Sequence, residues 1–171
     1  MTEALTPPFI VAALLLCVAG ALKLRSPHGA AGAVRALGLP VRAWTVPVLA
    51  AGELVLGAAC AVHPTRAAIA VLAGTYAMFA GVAAVLVGRG AACGCFGEDE
   101  TPVSAVHWMA SAGLGAVALG AAVAGGHGLG WVLGRPAPQA AALVIGIAGA
   151  LYTLVLVYTV VPRAWTAWSG E

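Results

Sequence analysis

Apolar residues occur in five long runs, separated by short stretches in which charged residues, prolines and glycines collect. A helix rises about 1.5 Å per residue, so about 20 mostly apolar residues are needed to cross the hydrocarbon layer of a bilayer. The runs that reach or approach this length are residues 7–22, 43–62, 67–87, 103–124 and 139–161. The pattern predicts an all-α integral membrane protein that forms a single domain. We expect a compact bundle of about five transmembrane helices, with a four-helix core and one extra C-terminal span.

The composition is typical of a membrane protein and argues against nucleic-acid binding. Of the 171 residues, 62% are hydrophobic and only 8% are charged, whereas soluble domains carry roughly 25% charged residues. The net charge of +2 is spread over few ionisable groups, and the sequence has no basic stripe of the kind that follows a phosphate backbone. We therefore expect the lipid bilayer as a partner and no nucleic acid.

Positive charge is divided unequally between the two ends of the predicted bundle. Five spans place the N-terminus, Arg66 and Arg135 on one side. The opposite side carries Lys23, Arg25, Arg35, Arg42, Arg89 and Arg163. Because Lys and Arg near span ends favour the cytoplasm, we expect the N-terminus outside and the loop at 88–102 in the cytoplasm, in a bacterial-type inner or plasma membrane. We expect Lys23 to reach the lipid headgroups beside a short interfacial helix within residues 23–40.

The loop after the third predicted span carries two of the four cysteines, in the string Cys93-Gly94-Cys95. Two residues at this spacing have Cα atoms at most about 7 Å apart, and a disulfide needs roughly 4.4–6.8 Å. A turn at Gly94 must therefore bring the sulfurs together. The small ring that results favours a strained, readily reduced disulfide. The spacing predicts a redox pair that cycles between dithiol and disulfide.

Charged residues and a histidine near this pair bear on its reactivity. Arg89 favours the thiolate, which is the reactive form, whereas the acidic run at 98–100 opposes it. His107, about one turn into the fourth span, is a candidate proton donor or acceptor for the loop. Alternatively, it lies at the headgroup interface beside Trp108.

Metal binding is the main alternative for the Cys-Gly-Cys pair. Vicinal thiolates bind soft ions such as Cu(I), and a zinc site would need two further ligands, for which His28 on the same side is a candidate. Structural zinc sites usually separate their cysteines by two to four residues, but one residue separates Cys93 from Cys95. A structural loop with inert thiols is the third interpretation.

Polar and sulfur-containing side chains also occur inside the predicted spans. Glu53 lies in the middle of the second span, where an ionised carboxylate costs about 3 kcal/mol or more, so it must be protonated, paired or turned to a polar interior. Cys17 is expected at a similar depth, and Glu53 either handles protons beside it or hydrogen-bonds Thr75 or Tyr76. Cys17 and Cys60 either pass reducing equivalents through the bilayer or pack as small hydrophobic residues.

Four sequence features together resemble those of the MauE methylamine-utilisation membrane proteins, which are related to the DoxX group. They are AGALKLRSP at 19–27, Glu53, CGCFG at 93–97, and Pro102 followed by Trp108 in the fourth span. The resemblance spans residues 10–115. It implies an integral membrane protein that works beside a thioredoxin-like partner in the maturation of disulfide-containing exported proteins, with Cys93 and Cys95 as the redox pair.

We therefore expect a membrane thiol-disulfide redox protein with oxidoreductase activity. Its candidate site residues are Cys93, Cys95, His107, Glu53 and Cys17. The sequence requires no cofactor and is compatible with a quinone. The alternatives are a copper- or zinc-binding or transfer protein, with Cys93, Cys95 and His28 as ligands, and an accessory subunit of a larger membrane complex.

Overall fold

The computed structural model describes residues 2–91 and 103–161, together with residues 164 and 168. Over these residues the chain is helical and has no strand. The helices are α1 (Thr2–Arg25), α2 (Pro27–Ala36), α3 (Thr45–Val62), α4 (Arg66–Arg89), α5 (Ala105–Ala124), α6 (Leu129–Leu133) and α7 (Ala137–Thr159). Five of them, α1, α3, α4, α5 and α7, are long and apolar enough to cross a membrane. The predicted all-α bundle is confirmed, and the chain is a multi-pass membrane protein.

Helix α1 is the centre of the bundle and α7 lies at its edge. In an apolar 18-residue stretch of α1, 56% of the residues are buried inside the bundle, whereas in the corresponding stretch of α7 only 6% are buried. Phe9, Ile10 and Leu16 of α1 are among the largest fully enclosed side chains. The low burial of α7 agrees with a four-helix core plus one extra C-terminal span.

The first turn of α1 makes a long-range contact with the segment that precedes α7. This helix begins at Thr2, before the apolar run that starts at residue 7, so Pro7 and Pro8 lie inside it. Glu3 of the first turn accepts a hydrogen bond from Arg135 at 2.7 Å, and the Arg135 guanidinium lies 4.1 Å from the centre of the Trp131 ring. A long-range ion pair therefore joins the N-terminus to the connection between α6 and α7.

Two glycines bring the backbones of α1 and α3 together. A Cβ atom at Gly20 would lie 2.6 Å from the carbonyl oxygen of Ala50, and one at Gly57 would lie 2.6 Å from that of Ala13. Helices in lipid associate through such close backbone approaches. The α1–α3 contact fixes which side chains of the two spans meet, including the acidic and cysteine residues discussed below.

Candidate functional site

The Cys-Gly-Cys pair, Cys93 and Cys95, lies outside the described residues, but the structure describes the two positions that bracket it. The backbone N–H of Val103 donates to the carbonyl of Ala91 at 3.1 Å. We call Ala91 and Val103 the loop base. Cys93 follows Ala91 by two residues along the chain, so the loop base is the structural reference point for the pair.

The loop base packs against α2 and α4. Val103 is buried together with Ala33 of α2 and with Ala83 and Leu86 of α4. Gly90 adopts φ +62° and ends α4, which is the left-handed conformation that favours glycine after a helix. Arg89 donates a hydrogen bond to the carbonyl of Ala36. The short helix α2 is thus tied to the end of α4 and to the loop base.

His107 caps the helix that follows the loop. Its Nδ1 lies 3.2 Å from both the backbone nitrogen and the hydroxyl of Ser104. Because a backbone N–H can only donate, Nδ1 accepts, and the neutral ring carries its proton on Nε2. His107 is 6% exposed while Trp108 is 39% exposed. The histidine ring therefore points into the bundle, and of the two neighbours only the tryptophan lies at the surface.

The terminal span supplies a tyrosine to the same place. The rings of His107 and Tyr158 meet edge to face with centres 5.5 Å apart. The hydroxyls of Tyr158 and Ser111 lie 3.0 Å apart and are buried. Three polar side chains from α5 and α7 thus form a cluster behind the first turn of α5.

Glu53 pairs with Lys23 inside the bundle. The Lys23 ammonium donates to both carboxylate oxygens at 2.7 Å, and the two side chains are only 8% and 10% exposed. The ammonium also lies 4.6 Å from the centre of the Phe79 ring. We call Lys23, Glu53 and Phe79 the ion-pair site. Of the three states expected for Glu53, the structure shows the paired one.

Two expectations about this region are wrong. Lys23 does not reach the headgroups, because Glu53 of α3 offers it a buried partner. Glu53 does not bond Thr75 or Tyr76 either, since Thr75 donates to the carbonyl of Val71 at 2.9 Å and Tyr76 to that of Ala12 at 2.7 Å. Both tyrosine and threonine satisfy backbone acceptors instead.

Cys17 and Cys60 share the α1–α3 contact. The Cys17 thiol lies 3.6 Å from the carbonyl of Leu54, and a Cβ atom at Gly57 would lie 2.6 Å from its sulfur. Cys60 is fully buried, three residues beyond Gly57. The α1 residue that faces Glu53 is Gly20, whose Cβ position is 3.3 Å from Cβ of Glu53. Cys17 is therefore about one helical turn from the α1 position beside Cβ of Glu53, whose carboxylate meets Lys23.

A small cavity joins the ion-pair site to the polar cluster of α5 and α7. It has a volume of about 20 Å³, and its lining includes Lys23, Tyr76, Ser111 and Tyr158. This volume is about that needed for one water molecule. Side chains of four spans therefore meet around one small space, whose wall is almost wholly apolar.

His28 lies at the surface near the loop base. It lines an open cavity of about 380 Å³ together with Arg35, Ala36 and Ala91. Arg35 adds a positive charge to this cavity, which opposes a second cation. Among the described residues there is no group of three or more His, Cys, Asp or Glu side chains that could hold a metal ion.

Three polar residues of the bundle interior were not predicted from the sequence: Lys23 as an ion-pair partner, Ser111 and Tyr158. The sequence did contain an indication of the Lys23 contact. A buried carboxylate that stays ionised needs a basic partner, and Lys23 lies at the end of the adjacent span. Ser111 and Tyr158 are isolated polar residues in apolar runs, and their pairing depends on how α7 is rotated.

Comparison with known proteins identifies one family. The family model described as methylamine utilisation protein MauE matches residues 3–126. The matched region contains the first four long helices, the loop base and the Cys-Gly-Cys string, while α6 and α7 lie beyond it. No curated protein and no solved structure matches the chain.

Proposed function

We propose, from the premise that the chain belongs to the methylamine utilisation protein MauE family, that it is a membrane thiol-disulfide redox protein. In this proposal Cys93 and Cys95 cycle between dithiol and disulfide and exchange electrons with a thioredoxin-like partner. The activity supports disulfide handling or maturation of exported proteins.

The loop base is the observation that carries the proposal. The backbone hydrogen bond between Val103 and Ala91 holds together the two ends of the segment that contains both cysteines. Val103 is only 7% exposed, so burial reinforces this closure. A cysteine pair attached to a fixed base at the edge of the bundle suits exchange with a second protein, since thiol-disulfide exchange requires direct access of one sulfur to another.

In the proposed exchange, every disulfide bond and electron lost by one protein is gained by the other. A thiolate of the reduced pair attacks a disulfide sulfur of the partner, which forms a mixed disulfide and releases one partner thiolate. The second cysteine then attacks the mixed disulfide, so that the pair leaves oxidised and the partner leaves as a dithiol. Two electrons pass to the partner, and the reverse sequence reduces the pair.

Residues near the loop have supporting roles in this proposal. Arg89 is exposed and belongs to the last turn of α4, where its charge favours the thiolate. His107 has its Nδ1 occupied by Ser104, so it can release a proton only from Nε2. We therefore assign His107 as a positioning residue that fixes the first turn of α5 after the loop base.

Trapping of a mixed disulfide tests the exchange. The probe is a thioredoxin that lacks its resolving cysteine and carries an activated disulfide on the remaining one. We expect a covalent adduct to accumulate in the Cys93→Ser or the Cys95→Ser variant. In the unsubstituted protein the second cysteine resolves the adduct, so only a transient species is expected on a non-reducing gel.

The double variant Cys93→Ser/Cys95→Ser is the matched control, because it keeps Cys17 and Cys60. Both remaining thiols are packed in the α1–α3 contact, so we expect no adduct. An adduct in the double variant, or none in either single variant, contradicts the proposal. A disulfide between Cys17 and Cys93 in the Cys95→Ser variant would instead show a relay through the bilayer.

Labelling from each side of the membrane tests the proposed orientation. Arg25, Arg35, Arg42 and Arg89 are all exposed at the end of the bundle that carries the loop base. By the preference of basic residues for the cytoplasm, a membrane-impermeant thiol reagent should label Cys93 and Cys95 only from the cytoplasmic side. A His63→Cys control, at an exposed position on the opposite end, should be labelled only from outside. Labelling of Cys93 and Cys95 only from outside, with the control labelled only from the cytoplasmic side, would show the opposite orientation.

Soft-metal binding is the competing function for the same cysteines. Metal binding is favoured by the position of His28, which lines a cavity together with Ala91. It is disfavoured by the positive charge of Arg35 in the same cavity. Metal analysis of protein purified under reducing conditions separates the two functions. Stoichiometric copper or zinc that disappears in the double cysteine variant would favour the metal function.

A further inference from the structure

A third cavity lies between α2, α3 and α4. Its volume is about 420 Å³, which falls in the range of small-molecule sites. Its wall is apolar except near the ion-pair site, which contributes Lys23, Glu53 and Phe79, and near Thr45. We call this space the α2 cavity. We propose that it binds a neutral quinone from the bilayer, with the ring against Phe79 and a carbonyl oxygen on the Lys23 ammonium.

The charge of the ion-pair site selects a neutral ligand. Lys23 and Glu53 already compensate each other at 2.7 Å in a setting where both are about nine-tenths enclosed. A fatty acid or another anion would bring an uncompensated third charge into this space, which is unfavourable in a low dielectric. A carbonyl compound adds an acceptor without adding charge.

The polar groups of the wall match a ring with two carbonyl oxygens. The Lys23 ammonium has three N–H groups, and two of them serve the carboxylate oxygens of Glu53. For the third, the described residues offer no oxygen or nitrogen acceptor, only the face of the Phe79 ring. Thr45 accepts from the backbone N–H of Arg42 at 3.3 Å, which leaves its own O–H able to donate. The cavity therefore offers a charged donor and a hydroxyl donor in an otherwise apolar wall.

Exposed apolar side chains form the mouth of the α2 cavity. Leu39, Leu49 and Met78 line it and are 55%, 52% and 53% exposed. A ligand dissolved in the bilayer can therefore enter sideways and leave an isoprenoid tail between these side chains. A water-soluble ligand of the same size would meet an apolar entrance instead.

Calorimetric titration of the full chain in detergent with decylubiquinone tests this inference. We expect saturable binding at one site. Leu49→Trp fills the mouth and should weaken binding by about tenfold or more, which corresponds to the loss of about 1.4 kcal/mol. Val55→Trp is the matched control, because Val55 is 68% exposed on the same helix and does not line the cavity; its affinity should equal that of the unsubstituted protein.

A second comparison tests the polar contact. The double variant Lys23→Met/Glu53→Leu replaces the ion pair by apolar residues and leaves the net charge of the interior unchanged. We expect it to bind about tenfold more weakly, because the charge-assisted hydrogen bond is lost. Oleate in excess should not displace decylubiquinone. The inference is overturned by absence of saturable binding, by equal affinities of the Leu49→Trp and Val55→Trp variants, by unchanged affinity of the double variant, or by displacement with oleate. None of these outcomes depends on the cysteine pair.

Discussion

Substitution of Lys23 by methionine should destabilise the protein by about 3–5 kcal/mol, because it leaves the Glu53 carboxylate buried without a partner. The side chain of Glu53 is only 10% exposed, and both of its oxygens accept from Lys23. In the variant the carboxylate must take up a proton or draw water into the bundle. The free energy of unfolding in a denaturant titration of the micelle-solubilised protein measures the loss.

The double variant Lys23→Met/Glu53→Leu is the control for this prediction. Apolar residues of similar size often replace a buried ion pair without loss of stability, so we expect its unfolding free energy to lie near that of the unsubstituted protein. If the single Lys23→Met variant loses less than about 1 kcal/mol, the pair does not act as a buried, mutually compensating unit.

Substitution of Gly57 by alanine should separate α1 from α3. The added methyl group would lie 2.6 Å from both the Ala13 carbonyl and the Cys17 sulfur. A clash with backbone cannot be relieved by a rotamer change, so we expect a loss of about 1–3 kcal/mol in unfolding free energy, as for other overpacked sites. The same variant should make the Cys17 thiol more reactive towards a membrane-permeant maleimide.

Gly52→Ala is the matched control on the same helix. Beyond its own helical turn and chain neighbours, no atom of the described residues lies within 4 Å of a Cβ at Gly52, and alanine is a better helix former than glycine by up to about 1 kcal/mol. Its stability should be unchanged or higher. Equal effects of the two substitutions would show that the α1–α3 backbones do not meet at Gly57.

The architecture was predictable because length and apolar content alone determine which segments can span a bilayer. Each of the five long helices follows from a run of this kind. The start of α1 was not predictable, because the helix begins at Thr2, before the apolar run, and Glu3 of its first turn pairs with Arg135, which is far away in sequence. Local patterns contain no information about such a partner.

The polar interior was only partly predictable, and Glu53 shows why. Its position in an apolar run indicated that it needs a partner or a proton, and the structure shows a partner. Which partner it finds depends on the register of α1 against α3, which the close approaches at Gly20 and Gly57 determine. A register different by one turn would have placed Cys17, instead of Gly20, beside Cβ of Glu53.

His107 shows a similar division between sequence and structure. Its position just after the cysteine loop indicated a role near the loop, whereas its capping contact with Ser104 appears only in the structure. The contact with Tyr158 was not foreseeable, since α7 was expected only as an extra span. The terminal helix is peripheral by burial, and yet one of its side chains completes the cluster around the histidine.

A redox titration of Cys93 and Cys95 tests the central claim most directly. The protein in its membrane is equilibrated in buffers from strongly reducing to strongly oxidising, quenched, and alkylated with a reagent that adds mass to each free thiol. The account predicts that two thiols become unreactive together as the potential rises, and that neither Cys93→Ser nor Cys95→Ser shows an intramolecular transition. If both thiols of the unsubstituted protein remain alkylated under strong oxidant, the pair does not close and the proposed function is contradicted.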